Sequence, residues 1–291
     1  MITRSATADD LPRITELQRR WDTAWFGAPE HDESEVREDF ERVTEPGVHT
    51  RLVLDGDRLL AAAWLWRTNA TLVVDPAVDP VPLYADLLPW FEKQGTPEIE
   101  ALSRDEKLRT AFDGRGWRHT HSTFELVRDL TPDWVLAEPV WDAGIVVRDL
   151  RPDDAEAVHR LIYRDAEWDA VPGHVARDFS EWRSLVLNEA AAPEQQVLAW
   201  RDDRLVGASI GRFFSDGTGW ISQLAVAVPE RGKGLGKALL LESLRRRRAA
   251  GASALGLGVE VENRSALQMY LGVGLTVDRE WMTYAPSRHP V

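Results

Sequence analysis

Hydrophobic positions in this chain follow two periods, and the order in which they alternate is used twice. Leu11, Ile14 and Leu17 recur at the spacing of one helix face, as do Val158, Leu161 and Ile162. Short apolar runs bounded by turn residues predict strands. Runs 48–54 and 58–66 flank Asp55-Gly56-Asp57, and 196–200 and 205–211 flank Arg201-Asp202-Asp203-Arg204, so each half carries a hairpin signal. The second half reads as strand 145–149, helix 153–165, a Trp- and Asp-rich connection, a helix near 178–189 and the hairpin. Strand 219–227 follows, then a glycine-rich turn, helix 236–250, strand 254–261, helix 264–272 and a closing strand pair near 275–285. The first half matches from its hairpin to an end pair around 117–128. Elements mixed in this order predict an α/β (α+β) fold.

The halves also align residue by residue. Ile2-Thr3-Arg4 to Asp9-Asp10 lies over Val146-Val147-Arg148 to Asp153-Asp154 without a gap, each with an Asp-Asp pair placed to cap the next helix. Phe112-Asp113-Gly114-Arg115-Gly116-Trp117 lies over Tyr270-Leu271-Gly272-Val273-Gly274-Leu275. This is one long module used in tandem rather than an array of short repeats. Between the modules, Thr131-Pro132-Asp133 to Trp141-Asp142-Ala143-Gly144 has two prolines and no periodicity. The expected organisation is a first domain over 1–130, a linker over 131–144 and a second domain over 145–291.

Composition narrows the function classes. The chain has 291 residues and no cysteine, with 48 acidic against 35 basic side chains and a net charge of −13. A length of this size and 44% hydrophobic residues suffice for two ordinary cores. Without cysteine there are no disulfides, thiolate metal sites or cysteine nucleophiles. No apolar run reaches the roughly 18–20 residues of a membrane span, and Met1-Ile2-Thr3-Arg4-Ser5 opens no signal sequence. A cytoplasmic protein with no membrane partner is expected. The acidic balance argues against a nucleic-acid partner, which needs a concentrated basic surface. The 13 tryptophans, spread along the chain, read as core filler.

The most informative stretch is Arg231-Gly232-Lys233-Gly234-Leu235-Gly236-Lys237, between a hydrophobic strand and the strong helix former Ala238-Leu239-Leu240-Leu241-Glu242. Alternate glycines let backbone N–H groups converge on an anion, and the following helix adds its positive end. The physical reading is a phosphate or pyrophosphate cradle; a ligand-free strand-to-helix turn is the plain alternative. A Walker loop would need Gly-Lys-Ser/Thr after a longer spacing, and a dinucleotide fingerprint would need glycine at position 237, which is lysine.

Gln223-Leu224-Ala225-Val226 through Gly236 resembles motif A of the GNAT superfamily of acyl-CoA N-acyltransferases. Asn263-Arg264-Ser265-Ala266 through Tyr270 to Gly274-Leu275 resembles motif B, with Leu275 in place of the usual aromatic. The resemblance covers 145–285, and the repeat extends it faintly to the first module. The whole resembles the tandem members of that superfamily, the mycothiol synthase group among them. It implies two modules, each a mixed, mostly antiparallel sheet flanked by helices, with acetyl-CoA as co-substrate and no metal.

The resemblance also assigns roles. Leu224, Ala225 and Val226 would pair with the pantetheine arm like an added strand. The backbone of Arg231, Gly232, Lys233, Gly234, Leu235, Gly236 and Lys237 would hold the pyrophosphate. Asn263 would cap the motif-B helix or touch the arm, and Tyr270 would protonate the departing thiolate or serve only as packing. The general base stays open among Glu260, which leads, Glu262 on the same strand face, and Asp165, Glu167 and Asp169 in the connection. Taken singly, each of these five reads more readily as solvated surface.

The first module lacks this equipment. Its cradle position reads Pro76-Ala77-Val78-Asp79-Pro80-Val81-Pro82, Phe112 stands at the tyrosine position and Asp105 at that of Asn263. His119 and His121 share a strand face without a third ligand in sequence, and Arg245-Arg246-Arg247-Arg248 fans around a helix instead of forming one patch, which predicts a solvated helix end favoured by the dipole. Ser222 forms no defensible triad with any histidine. The expected function is N-acetyl transfer to a primary amine of a small molecule or peptide, with one site, by a monomer or homodimer. The alternatives are a non-catalytic acyl-CoA sensor, and a mycothiol synthase-type enzyme that acetylates an aminothiol precursor.

Overall fold

The computed structural model describes residues 1–66, 69–95, 98–131, 133–168, 176–188, 192, 195–214 and 216–287. In chain order its elements begin with β1 (Ile2–Arg4), α1 (Leu11–Phe26), α2 (Glu33–Glu41), the helical turn α3 (Pro46–His49), β2 (Thr50–Asp55) and β3 (Arg58–Trp66). Then come β4 (Asn69–Val74), α4 (Val81–Lys93), β5 (Glu98–Leu102), α5 (Glu106–Gly114) and β6 (Trp117–Asp129). The second round is β7 (Ile145–Arg148), α6 (Ala155–Arg160), α7 (Phe179–Val186), β8 (Val197–Arg201), β9 (Arg204–Phe213), β10 (Thr218–Val226), α8 (Leu235–Ala249), β11 (Ala254–Glu260), α9 (Arg264–Gly272) and β12 (Thr276–Pro286).

Two compact units form, and the first is built from two separate stretches of chain. The first is residues 1–122 together with the segment that starts at Glu280; the second is Thr123–Arg279. In the first unit the strands follow the order β1-β2-β3-β4-β5, then the later part of β12 and the earlier part of β6. Trp281↔Leu102 to Tyr284↔Ile99 is antiparallel. In the second unit the later part of β6 pairs antiparallel with β11, from Thr123↔Glu260 to Asp129↔Ala254, and β10, β9, β8 and β7 follow. Most pairs are antiparallel; β4·β5 and β10·β11 are parallel.

β12 and β6 are each a single long strand where the sequence suggests strand pairs near 275–285 and 117–128. No glycine, proline or asparagine interrupts 118–128 or 276–284, so nothing there favours a turn. The predicted helix 153–165 is α6 extended by a π-helical turn in which Ala166 N donates to Leu161 O at 2.8 Å.

The central strand of each unit is buried on both faces, so it reads as a continuous apolar run. Ala61 and Ala63 of β3 pack with Leu87, Phe91 and Phe112, while Ala62 and Trp64 pack with Ile14, Leu17 and Phe40. In β9, Leu205, Ala208 and Ile210 join Val158, Ile162 and Trp182, and Val206 joins Leu235 and Leu239.

The repeat is visible as a shared clamp. Asp10 takes a two-pronged contact from Arg4 (2.6 and 2.7 Å) and accepts Thr7 N at 2.9 Å. Asp154 takes the same from Arg148 (2.6 and 2.7 Å) and accepts Arg151 N at 2.9 Å. The second aspartate of each pair thus closes the turn before the helix. The guanidinium partner comes first in holding each carboxyl below its ordinary value. A depressed carboxylate contributes stability above its unfolded pKa and loses it as pH falls through the folded one. Asp154→Asn is therefore expected to melt at lower temperature than wild type at neutral pH. The gap should close in acid, below the ordinary carboxylate range; an unchanged gap in a pH series of melting curves would refute this.

Candidate active site

In the second unit β10 and β11 run side by side only from Thr218↔Ala254 to Ile221↔Leu257. Beyond that, β10 keeps to β9 as far as Val226↔Gly207, and β11 keeps to β6 as far as Glu260↔Thr123. The two strands splay, and among the described residues 223–226 and 258–260 do not pair with one another. A bulge in β10 between Ile221 and Gln223 starts the divergence. An extended ligand arm could complete these edges as an added strand.

The glycine loop lies just past the end of β10. Residues 231–234 are exposed, and Gly232 and Gly234 have φ of +77° and +86°, values that a residue with a Cβ adopts at a cost. A Cβ built on either would meet nothing within 4 Å, so the space before the loop is open. Gly234 is the N-cap of α8 and supplies no side-chain acceptor, which leaves the first N–H groups of that 15-residue helix available to an anion. Leu235 is 5% exposed and packs with Val197, Val206 and Leu239, so its side chain anchors the helix start while its N–H faces the loop end. Lys237 is exposed in the first helical turn.

The basic side chains of the loop are turned to neighbours. Arg231 Nη2 donates to Ala166 O at 2.8 Å and its Nη1 lies 3.9 Å from Glu167. Lys233 Nζ reaches Glu230 at 3.3 Å, a carboxylate that also meets Arg201 at 3.3 Å. Arg231 and Lys233 thus point away from the open side of the loop, where its backbone N–H groups lie.

Residues 155–274 match the family model described as Acetyltransferase (GNAT) family. That stretch is a GNAT acetyltransferase region. A mycothiol acetyltransferase of Saccharopolyspora erythraea is 31% identical over 140 residues, which are 47% of this chain and 46% of the relative, so the chain matches about half the relative's length. Over nearly the whole chain the fold is shared with solved structures. A GCN5-related N-acetyltransferase from Sphaerobacter thermophilus superposes with a TM-score of 0.83 at 24% identity, covering 99% of this chain and 96% of its own. A tandem GNAT protein from the clavulanic acid biosynthesis pathway gives 0.73 at 15% identity, covering 100% and 99%. The tandem arrangement that the repeat suggests is thus present in the fold.

Within the GNAT region, Tyr270 on α9 is 7% exposed and packs in the cluster of Ile221, Leu257 and Val259, residues of the splaying strands. Burial alone pushes its phenol up to about 12, so it keeps its proton through neutral pH. Asn263 is exposed and caps α9, its Oδ1 accepting Ala266 N at 3.2 Å. Ala225 is fully buried, and Leu224 and Val226 are half-buried on the face toward Gly236, whose added Cβ would lie 3.7 Å from Val226 and Met269.

The candidate bases separate in the fold. Glu260 is half-buried at the end of β11, with Thr123 Oγ1 at 3.5 Å. Glu262 does not share its strand face, because β11 ends at Glu260 and Glu262 sits exposed in the following turn. Asp165 lies 3.9 Å from Arg160. Glu167 is exposed with φ of +53°. Asp169 lies outside the described residues. Ser222 is exposed beside the β10 bulge.

Sequence reasoning missed a polar relay beside the bulge. Trp182 Nε1 donates to Gln223 Oε1 at 2.9 Å, and Gln223 Nε2 donates to the Tyr163 hydroxyl at 3.4 Å. Each partner is more than 40 positions from Gln223, so no spacing rule links them; the Trp-rich connection was the only signal.

The arginine run divides as four separate contacts. Arg245 meets Glu138, Arg246 meets Glu242 and Asp149, and Arg248 donates to Trp134 O. Arg247 departs from the expected solvated helix end: it is fully buried, donates to Ser243, and burial lowers it to about 10. His119 pairs with Ser122 Oγ at 2.9 Å. No group of three metal-ligating side chains occurs among the described residues, and no described helix is long and apolar enough to cross a membrane.

Proposed function

We propose that the second unit transfers an acetyl group from acetyl-CoA to a primary amine of a small molecule or peptide by direct attack. The observation that carries this reading is the splay of β10 and β11, opening onto a capless helix start and a positive-φ glycine loop. That geometry fits a CoA thioester: an extended amide-bearing arm against β10 and a pyrophosphate at Gly232–Lys237. When bound, acetyl-CoA supplies the activated acyl group.

The chain's own residues position and move protons. Backbone groups of Leu224, Ala225 and Val226 hold the arm, and the loop N–H groups hold the pyrophosphate. A neutral Tyr270 phenol donates its proton to the leaving thiolate as the tetrahedral intermediate collapses. Glu260, half-buried at the strand end, is the proposed acceptor of the ammonium proton, directly or through water. The acceptor enters from the side of α6 and α7, where Gln223 is held by Trp182 and Tyr163. We place the protein in the cytoplasm, acting as a monomer or homodimer.

The test is thiol release from acetyl-CoA across a panel of amines. Turnover on at least one amine is expected; saturable binding with turnover on none would favour a non-catalytic acyl-CoA sensor. The 31% identical relative supports including aminothiol-precursor acceptors, as for a mycothiol synthase-type enzyme.

Stoichiometry tests the assignment to one unit. The first unit has a matching splay, since among the described residues β4 and β5 pair only at Asn69↔Glu98 and Ala70↔Ile99. Past β4, however, come Pro76, Pro80 and Pro82, which lack N–H donors, and Asp79, whose negative charge disfavours phosphate. Calorimetry should give one acetyl-CoA per chain. Two equivalent sites would overturn the reading of the first unit.

A further inference from the structure

The first unit keeps a cavity at the mouth of its own strand splay, of about 410 Å³. One wall is Trp21 and Trp25, one turn apart on α1 and both half-buried; the lining also includes Asp75 at the end of β4, Tyr84 of α4, Asp105 before α5 and the charged Arg104, Glu106 and Lys107. The volume lies in the range of small-ligand sites, which combine apolar walls with a few placed polar groups.

The charges sort by partner. Asp75 is neutralised by Arg58 at 2.9 Å and Arg20 at 3.2 Å. Arg104 stacks on the rings of Trp25 and Phe26 and donates to Trp25 O, and Lys107 sits 3.3 Å from Asp79. Asp105 is only 8% exposed; it accepts Leu108 N at 2.9 Å and the Tyr84 hydroxyl at 3.3 Å, and it forms no ion pair among the described residues, Arg104 and Lys107 of the same lining being engaged elsewhere. Tyr84 is held above its ordinary range by burial, with the Asp105 charge adding to it. A carboxylate with four acceptor sites and two donors has capacity left.

Aromatic walls beside a buried anion recognise an organic cation. The indoles are fixed for this, with Trp21 tilted against Trp25 at 6.1 Å and stacked on Trp281 at 6.3 Å. We infer that this cavity is a second ligand site, for a small organic ammonium with a flat apolar body. Its ammonium hydrogen-bonds to Asp105, and its body lies against Trp21 and Trp25. A phosphate-bearing ligand is disfavoured, because the adjacent segment has prolines and aspartates where donors are needed.

The experiment titrates phenethylammonium into the full chain by calorimetry and follows the Trp21 and Trp25 indole N–H signals by NMR. The matched probes are 2-phenylethanol and 3-phenylpropionate. The critical variant is Asp105→Asn, which keeps a side-chain oxygen for the helix cap, as Asn263 does for α9; a wild-type-like melting curve establishes that it folds. Phenethylammonium should bind saturably and shift both indole signals. Asp105→Asn should weaken it by about tenfold or more, the cost of removing one partner of a buried charge pair. Phenylethanol should bind weakly and equally to both proteins, and phenylpropionate not at all. Unmoved indole signals, equal affinity in Asp105→Asn, or phenylpropionate binding as well as the amine would each overturn the proposal. The indole readout separates this site from amine binding in the second unit.

Discussion

Tyr270→Phe is expected to lower acetyl-transfer turnover by about 10²–10⁴-fold, the range that a positioned general acid contributes. Acetyl-CoA affinity should stay close to wild type, because the lost proton donor acts on the transition state alone. The substitution removes one oxygen and keeps the ring, and the first unit already carries that state at Phe112, fully buried on the matching helix. Packing should therefore survive. Burial keeps the Tyr270 phenol protonated, so the donor form is the one present at working pH. If the ring matters only as core, turnover will hardly move. Steady-state kinetics with direct binding of acetyl-CoA distinguishes the two, and unchanged turnover would hand the acid role to water or another group.

Gly234→Glu should abolish measurable acetyl-CoA binding. The residue caps α8 in a left-handed conformation, at the point where N–H groups stand free and the helix end is positive. A carboxylate there repels a pyrophosphate and occupies its place. Two effects are mixed in this variant, since any Cβ at φ of +86° costs roughly 1–2 kcal/mol. Gly234→Ala carries the strain without the charge. The alanine variant should lose a little stability and a modest part of the affinity, and the glutamate variant should lose binding far beyond it. Nothing lies within 4 Å of the built Cβ, so neither side chain collides with the fold. Calorimetric affinity for the glutamate variant equal to that of wild type would dismiss the pyrophosphate assignment.

Much of this was legible in the residues because it is local. Glycines at 232 and 234, the aspartates that close each first turn, and the matched positions Asp105 and Asn263 all act within a few residues of themselves. Asp105 and Asn263 do cap α5 and α9, accepting Leu108 N and Ala266 N. What escaped is long-range. Periodicity predicts that 117–128 is extended but not which sheet receives its later half. Four successive arginines carry no phase, so nothing in the sequence marks Arg247 as the buried one. Trp21 and Trp25 look like core filler until β4 and the Asp105 turn are brought beside them. Gln223 gains its partners only when α7 and the π-helical turn pack against β10. Glu262 differs for the opposite reason: alternation in the sequence continues through it, but β11 stops at Glu260.

The exchange of strand segments between units has a consequence during synthesis. The first unit's sheet takes in residues from Glu280 onward, and Trp281 to Tyr284 pair with β5. A ribosome that has made residues 1–122 has therefore released a sheet whose β5 edge still lacks that partner, and it stays so until the last strand emerges. Exposed strand edges invite pairing with other chains. At about 5–20 residues per second, the roughly 160 intervening residues correspond to an interval of about 8–30 seconds. The second unit, by contrast, receives its early strand segment in advance. The first unit, begun first, is thus completed no earlier than the second, since its missing strand follows directly on the second unit's last residue.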